Sequence, residues 1–224
     1  LLIFLVLFGA SLLAEFIAND RPIVVYYKGS VYAPIFKNYP ETTFGGEFET
    51  TADYKDPFVK NLIQQNGFII WTPVKYSYDT VNYNLPNPAP SAPTWENILG
   101  TDDQGRDVFA RLLYGFRISM LFALSLTLVS SVIGIAFGAI QGYFGGKIDI
   151  VAQRFMEIWS GMPVLYLLII MSSIITPGFF SLLILMMMFS WMSLVGVVRA
   201  EFLRARNFDY VRASKALGVP SFTI

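Results

Sequence analysis

The sequence predicts an all-α polytopic membrane protein with a small β-containing extracytoplasmic insertion between its first two spans. Hydrophobic residues make up 54% of the 224 residues and charged residues only 14%, whereas soluble domains carry roughly 25% charged residues. Four apolar stretches are long enough to cross a membrane. A long polar segment rich in Pro, Gly and aromatic residues separates the first stretch from the second, and its short β-type runs predict the insertion.

The four predicted spans are residues 1–18, 119–140, 155–176 and 179–198. A spanning helix needs roughly 20 mostly apolar residues, because the hydrocarbon core is about 30 Å thick. The first stretch has an alternative interpretation as the apolar part of a signal peptide. The chain begins with Leu1 inside an apolar run and stops at Ile224, so we expect a longer protein with further spans.

Charge predicts how these spans are oriented. Short segments dense in Lys and Arg stay in the cytoplasm, whereas long polar segments cross the membrane largely regardless of charge. We therefore expect residues 19–98 to be extracytoplasmic and the segment after the fourth span to be cytoplasmic. That last segment carries Arg199, Arg204, Arg206, Arg212 and Lys215 against Glu201 and Asp209.

The insertion reads as short strands followed by an extended linker. Residues 23–27 and 31–33 flank a Lys-Gly-Ser turn, which is typical of a hairpin, and residues 68–71 and 74–83 are candidates for further strands. Residues 85–93 are Pro-rich and stiff. The many Tyr and Trp side chains either bind a peptide or a delivery protein, or pack a small cap at the membrane interface.

A polar motif at residues 100–107 precedes the second span. Its glycines permit tight turns, and Asp102, Asp103 and Asp107 are candidates for capping the helix that follows. A cation site is the alternative, although the spacing lacks the ligand count of a calcium loop. The motif residues singled out are Gly100, Thr101, Asp102, Gly105, Arg106 and Asp107.

Two features of the spans suggest where helices pack or bend. Gly134, Gly138 and Gly142 recur every four residues on one face, and small residues at that spacing let helix backbones approach closely in lipid. The sequence leaves open whether this packing moves during function. Pro163 predicts a kink in the third span unless it lies in the first turn.

A short helix is predicted after the fourth span. Asp209 is placed to cap a helix over residues 210–217, and Gly218 suits its end. The small residues Ala213 and Ser214 lie on one side. Such a helix either docks into a groove on a partner or lies on anionic lipid.

Composition excludes several kinds of chemistry. The chain has no His and no Cys, which removes thiolate and imidazole metal ligands, Cys nucleophiles and Ser-His-Asp triads. We therefore predict no catalytic residue and no metal site. Lys plus Arg equals Asp plus Glu at 16 each, so net charge gives no reason to expect a nucleic-acid partner.

Three motifs resemble the permease subunits of bacterial ABC importers for dipeptides and oligopeptides: Gly-Thr-Asp-Asp-Gln-Gly-Arg-Asp at 100–107, Gly-Tyr-Phe-Gly-Gly at 142–146, and Tyr-Val-Arg-Ala-Ser-Lys-Ala-Leu-Gly at 210–218. The long insertion and residues 191–210 resemble more closely the microcin C and oligopeptide importer branch, the YejE type. The resemblance implies the type I permease fold, with residues 99–224 as its core and two further spans after Ile224.

The same resemblance implies a function and partners. It implies a multi-pass permease of the bacterial inner membrane that pairs with a second permease as a heterodimer. Two cytoplasmic ATPase domains, which bind ATP and magnesium, and an extracytoplasmic peptide-binding protein complete the importer. Membrane lipid surrounds the chain, which itself binds no cofactor.

The resemblance also implies a coupling helix at residues 207–218 that contacts the ATPase. Its expected contact residues are Asp209, Tyr210, Val211, Arg212, Ala213, Ser214, Lys215, Ala216, Leu217 and Gly218. Arg212 stands where the family usually has Glu, and Ser214 where it has the second Ala. These departures put in doubt any salt bridge that the usual Glu would make.

Two other classes of protein remain open from the residues themselves. A membrane-anchored sensor would use the insertion to bind a ligand and would carry a signalling domain. An ion-driven secondary transporter usually needs ionisable residues inside its spans, and residues 119–140 and 179–198 contain none.

Overall fold

The computed structural model describes residues 1–176, 178–221 and 223–224. The chain divides into two compact units, Leu1–Met120 and Leu121–Ile224. One helix, α4 (Val108–Phe144), contributes residues to both units.

The unit Leu1–Met120 begins with an apolar helix and continues into a small sheet. Helix α1 is Leu2–Leu12, and the short α2 is Ala14–Ile17. Strands β1 (Val24–Tyr27), β2 (Ser30–Tyr32) and β3 (Gly67–Ile70) form an antiparallel sheet in the order β2-β1-β3. A 3₁₀ turn, Glu41–Phe44, and helix α3, Pro57–Asn66, lie between β2 and β3 in the chain.

The sheet and α3 enclose the core of this unit. Val25 and Tyr27 alternate inwards along β1, as the two-residue period of a strand requires. Phe44 is fully buried, and its ring meets those of Tyr27 and Tyr54 edge to face, with centroids 5.7 and 5.6 Å apart. Several aromatic residues of the insertion therefore pack its core.

Some of the strands predicted from the sequence are present in the structure and one is not. The hairpin over residues 23–33 and the strand near residue 68 are present, with Val25 opposite Tyr32 on one side and Ile69 on the other. The expected strand over residues 74–83 is wrong. Val74 and Val81 form only isolated bridges, to Ala18 and Arg106. The chain bends at Tyr78 and Asp79, where the Ser77 N–H donates to the Thr80 hydroxyl.

The unit Leu121–Ile224 consists of helices. After the C-terminal part of α4 come α5 (Gly146–Ser160), α6 (Val164–Ile174), α7 (Phe179–Ser190), α8 (Met192–Ala205) and α9 (Asp209–Ala216). Among the described residues, Val108–Phe144 and Phe179–Ala205 are long and apolar enough to cross a membrane. Leu2–Leu12 is apolar but shorter. The four-span topology stays a prediction.

The third predicted span is broken rather than kinked. Helix α5 ends at Ser160 and α6 begins at Val164, with a bend of 67° between them. Pro163 occupies the position before the first turn of α6. A proline there lacks the N–H that would continue the α5 ladder, yet its fixed φ suits the start of a new helix. Taken together, α5 and α6 are apolar enough to form a third crossing.

Candidate functional site

Helix α9 is the first candidate for a partner-binding site. The chain enters it from Phe208 in an extended conformation, and no side chain caps its first turn. The expectation that Asp209 caps a helix starting at residue 210 is wrong, because Asp209 is itself the first helical residue. Its carboxylate lies in the first turn, where the helix dipole favours negative charge.

The end of α9 is defined by Gly218. This residue has φ +77°, a left-handed conformation that glycine adopts without steric cost. The N–H of Gly218 donates to the carbonyl of Lys215 at 3.1 Å, and that of Val219 to the carbonyl of Ser214 at 3.1 Å. This pair of bonds is a Schellman motif. It stops α9 sharply and leaves open space around Gly218.

Helix α9 has an inner face and an exposed face. Val211 is buried, and the Lys215 ammonium lies 4.3 Å from the centroid of the Tyr143 ring at the end of α4. Val211 and Lys215 are four residues apart and so share a face. Tyr210 and Leu217, on the other side, are 66% and 84% exposed. Every predicted coupling residue except Val211 is at least partly exposed.

Gly134, Gly138 and Gly142 of α4 lie where this helix contacts α8. At each glycine an added Cβ would come closer than 3.0 Å to a backbone carbonyl oxygen of α8 or of the residue preceding it. These oxygens cannot move without moving the helix. The three distances are 2.7 Å from Gly134 to Trp191, 2.8 Å from Gly138 to Val195 and 2.6 Å from Gly142 to Arg199.

An ion pair joins α5 to α8. The Arg199 guanidinium donates from Nε to Asp149 Oδ1 and from Nη2 to Asp149 Oδ2, both at 2.6 Å. The side chains are only 27% and 14% exposed. Two parallel bonds between a planar guanidinium and a carboxylate are the strongest ion-pair geometry available to proteins. Arg199 is the eighth of the 14 residues of α8, so the pair holds the middle of this helix.

The motif at residues 100–107 anchors α4 through buried polar groups. Asp107 is fully buried, and its Oδ1 accepts from the Ala110 N–H at 2.7 Å, which caps α4. Its Oδ2 accepts from the amide of Asn97 at 2.8 Å, and the Asn97 oxygen in turn accepts from the Asn82 amide at 3.0 Å. Burying this carboxylate is possible because both oxygens are hydrogen-bonded.

Asp102 has a different role from the capping role that was expected. It accepts from the N–H groups of Gln104 and Arg106 at 2.9 Å, and it forms ion pairs with the side chains of Arg106 and Arg111. These bonds hold the turn itself. Asp103 makes no hydrogen bond or ion pair within the described part of the chain. Asp107 alone of the three aspartates caps α4.

The motif also depends on Gly100 and Thr101. Gly100 has φ +75°, and a Cβ there would lie 2.5 Å from the carbonyl oxygen of Ser91. The neighbouring Thr101 hydroxyl accepts from the Ser91 N–H at 3.0 Å. Across residues 1–176, 178–221 and 223–224, no group of three or more His, Cys, Asp or Glu side chains could hold a metal ion. The hydrogen bonds and ion pairs of Asp102 and Asp107 favour a structural role for the motif over a cation site.

The hydrogen bonds and ion pairs of Asp102 predict a contribution to the stability of the fold that is lost in acid. Burial raises the pKa of Asp102, but its bonds to the backbone and side chain of Arg106 and to the Gln104 N–H outweigh this and lower it from 3.8 to about 2. A folded-state pKa below the unfolded value stabilises the fold above pH 3.8, and this contribution is lost as the pH falls towards about 2.

Asp102→Asn should therefore lower the unfolding temperature of the detergent-solubilised protein at neutral pH and flatten its decline in acid. Asp103→Asn is the matched control. It should follow the wild-type curve, and an equally flattened curve for Asp103→Asn would contradict the assignment to Asp102.

Comparison with known proteins identifies the chain. Residues 134–224 match the family described as "Binding-protein-dependent transport system inner membrane component". The chain is 55% identical over 222 residues to "Inner membrane ABC transporter permease protein YejE" of Escherichia coli, an alignment that covers 99% of the chain and 65% of that relative. The chain belongs to this family of ABC importer permeases. The resemblance seen in its three motifs is thereby confirmed.

Other relatives of the permease agree. "Peptidoglycan transport system permease protein YejE" of Agrobacterium fabrum is 53% identical over 246 aligned positions, covering 99% of the chain and 64% of the relative. "Dipeptide transport system permease protein DppC" of Bacillus subtilis is 37% identical over 141 residues, 63% of the chain and 42% of the relative. The chain thus spans about 65% of the length of its YejE relatives.

Family membership confirms the predicted fold class and location. The permease has the type I importer fold, mostly helical with a small three-stranded sheet, and it is a protein of the bacterial inner membrane. The family match begins at residue 134. It therefore includes α5, α8 and α9 but not the insertion with its sheet.

Several long-range contacts of the permease leave no signal in the local sequence. Asp149 and Arg199 are 50 residues apart. Glu15 accepts from the Tyr114 hydroxyl at 2.7 Å and forms an ion pair with Arg117 at 3.3 Å, 102 residues away. No local pattern signals partners at such separations. The only clue was that each of these charges lies in or beside an apolar stretch, where an unpaired charge is costly.

Proposed function

We propose that the chain is the membrane-spanning subunit of an ATP-driven importer that moves peptides across the inner membrane. The names of its relatives support this substrate class, since they describe dipeptide and oligopeptide permeases and, in Agrobacterium, a peptidoglycan permease. The resemblance of the insertion and of residues 191–210 extends the proposal to peptides of the microcin C type.

The proposed assembly has four kinds of protein component. This permease pairs with a second, related permease, and two ATPase domains bind ATP and magnesium on the cytoplasmic side. An extracytoplasmic binding protein delivers the peptide. In this assembly the chain supplies half of the translocation path and, through α9, transmits the movement of the ATPases to the spans. ATP hydrolysis takes place on the partners.

The proposed orientation follows from charge. The segment from Arg199 to Lys215 is rich in Arg and Lys, which favours a cytoplasmic position for α9. With four spans, residues 19–98 then lie outside the membrane on the side where a binding protein releases its peptide.

The proposed mechanism is alternating access driven through α9. The ATPases close on binding ATP, and the groove that holds α9 moves with them. Lys215 and Val211 tie α9 to its own unit, so a displacement of α9 is passed to the helices it packs on. ATP binding drives this change only if the inward- and outward-facing states differ in their contacts with the ATPase.

The exposed face of α9 is the observation that carries the proposal. Tyr210, Ala213 and Leu217 follow the i, i+3, i+7 spacing of a helix that binds in a groove, and all three are exposed. An exposed apolar strip on a short polar helix indicates a partner surface. Membership of the importer permease family favours an ATPase as that partner over the signalling domain of a sensor.

Gly218→Trp tests the docking of α9. Nothing lies within 4 Å of the Cβ position at Gly218, so the indole would project into the space that a docked ATPase occupies. We expect the full-length wild-type permease to co-purify with its ATPase subunits in mild detergent. The amount of ATPase that co-purifies with the variant should be at least tenfold lower.

Gly29→Trp is the matched control for that experiment. Gly29 also has a left-handed φ, +83°, and open space around its Cβ position, but it lies in the turn between β1 and β2. The backbone strain is therefore the same in both variants, and only Gly218→Trp should release the ATPase. Release in both variants, or in neither, would contradict docking through α9.

A further inference from the structure

Two cavities adjoin in the unit Leu1–Met120. Their volumes are about 640 and 520 Å³, within the roughly 300–1,000 Å³ range of small-molecule sites. They share the side chains of Tyr54, Lys55, Tyr76 and Asn84 in their linings. We call the pair the bipolar cleft, because the two cavities carry opposite charge.

The first cavity of the cleft is acidic. Four carboxylates line it against two cations, Arg21 and Lys55. The Asp56 carboxylate also caps α3 through the Phe58 N–H at 2.7 Å, which fixes its position. The four acidic residues are Asp20, Asp53, Asp56 and Asp79.

The second cavity is basic and aromatic. Lys55, Lys60 and Lys75 line it against a single carboxylate, Glu96. Trp71 and Trp95 also line it, and Trp95 is fully exposed to solvent. A cavity of this composition suits an anion attached to a group that packs on aromatic rings.

The charges of the cleft are not neutralised within the protein. Among the described residues, none of the Lys, Arg, Asp or Glu side chains lining either cavity has an oppositely charged group within 4.0 Å. The ammonium groups lie over aromatic rings instead, that of Lys55 at 3.8 Å from the Tyr76 centroid and that of Lys75 at 5.8 Å from the Trp71 centroid. Burial lowers the pKa of Lys55, although Asp20 and Asp53 oppose this.

The junction of the two cavities has an unused polar group. Tyr54 is almost completely buried and lines both cavities. Its hydroxyl has no hydrogen-bond partner in the described part of the chain. Buried polar atoms are nearly always hydrogen-bonded, so an unpartnered one at a cavity wall calls for a specific explanation. A polar group on a bound ligand would supply the missing partner.

We propose that the bipolar cleft binds a short zwitterionic peptide, with its ammonium terminus in the acidic cavity and its carboxylate terminus in the basic one. Two opposite charges separated by an amide chain match the two cavities and the polar side chains, Tyr54 and Asn84, between them. The two adjoining volumes, about 640 and 520 Å³, leave room for a short peptide. This deepens the proposed function, on whose substrate class it rests, by giving the permease a peptide site of its own outside the spans.

Blocked peptides test the two ends of the site separately. The full-length permease in nanodiscs, without ATPase or binding protein, is titrated with tri-alanine, N-acetyl-tri-alanine and tri-alanine amide, and heat of binding is measured. We expect saturable binding of tri-alanine and about tenfold or weaker binding of each singly blocked peptide, since each loses a charge-assisted hydrogen bond.

Variants assign each end to its cavity. Lys75→Gln should weaken binding of tri-alanine but not of tri-alanine amide, which has no carboxylate to lose. Asp79→Asn should weaken binding of tri-alanine but not of N-acetyl-tri-alanine. Lys28→Gln and Glu47→Gln change charges of the same unit that line neither cavity and should leave all three affinities unchanged.

Several results would overturn the proposal. Absence of saturable tri-alanine binding, equal affinity for free and blocked peptides, or equal effects of the cleft and control variants would each exclude a zwitterion site. Co-purification of the ATPase is measured independently of peptide binding. A permease that retains its ATPase but fails to bind tri-alanine would refute the cleft and leave the importer proposal standing.

Discussion

Gly138→Ala is expected to destabilise the packing of α4 on α8 by about 1–3 kcal/mol, the usual cost of overpacking. The added methyl group would lie 2.8 Å from the carbonyl oxygen of Val195 and 2.8 Å from Cβ of Val198. Both atoms belong to α8 or are fixed to its backbone. The clash is relieved only if the two helices move apart, which reduces the contact of α8 with Gly134, Gly138 and Gly142 together.

Gly115→Ala is the control within the same helix. Nothing lies within 4 Å of its Cβ position, and alanine in an open helical position is more favourable than glycine by about 0.5–1 kcal/mol. The two identical substitutions in α4 should thus change stability in opposite directions.

The measurement is the temperature at which half of the detergent-solubilised protein loses its monodisperse size-exclusion peak. Gly142→Ala should behave like Gly138→Ala, since its Cβ would lie 2.5 Å from Cβ of Phe202. If Gly138→Ala and Gly115→Ala shift this temperature equally, Gly134, Gly138 and Gly142 have no special role in the packing of α4 on α8.

Asp149→Ala is expected to cost about 3 kcal/mol, the lower end of the range for breaking a buried ion pair. The lower end applies because Arg199 is 27% exposed. Removing the carboxylate leaves the guanidinium of Arg199, near the middle of α8, without its two bonds. The double variant Asp149→Ala with Arg199→Met should recover much of this loss, because replacing both charges removes the unpaired one.

The exposed pair Arg154–Glu157 on α5 is the matched control. Its side chains are 74% and 56% exposed, and exposed pairs contribute about 0–1 kcal/mol. Glu157→Ala should therefore change little. Chemical denaturation of the wild type, Asp149→Ala, Arg199→Met and the double variant gives a double-mutant cycle for the Asp149–Arg199 coupling. A loss in Asp149→Ala no larger than in Glu157→Ala would show that the ion pair does not hold α5 to α8.

The outcomes for individual elements show where local sequence is sufficient. The hairpin around residues 28–29 was predictable because a Lys-Gly-Ser turn between β-branched and Tyr residues specifies both strands locally. The end of α9 at Gly218 was predictable for the same reason. The expected strand at residues 74–83 was wrong because side-chain bonds of a turn compete with strand pairing there.

The candidate site was only partly predictable. The segment of α9 and the glycine face of α4 follow from residue type and helical spacing. The side of α9 that packs inwards does not, because it depends on the contact of Lys215 with Tyr143, 72 positions earlier in the chain. Likewise the buried hydrogen-bond network of Asp107 includes Asn97 and Asn82, which no sequence motif links to it.

Local sequence patterns were enough to predict a mostly helical inner-membrane protein of the importer permease family with a small sheet. Hydrophobic runs, turn residues and three short motifs are local properties, and hydrophobicity and backbone preference act over a few neighbouring residues. The pairing of charges, the glycines that contact a neighbouring helix and the side chains that surround a cavity became known only from the folded structure. Ion pairs and close contacts depend on distances of a few ångströms between residues far apart in the chain, and these distances exist only once the helices and the sheet are packed.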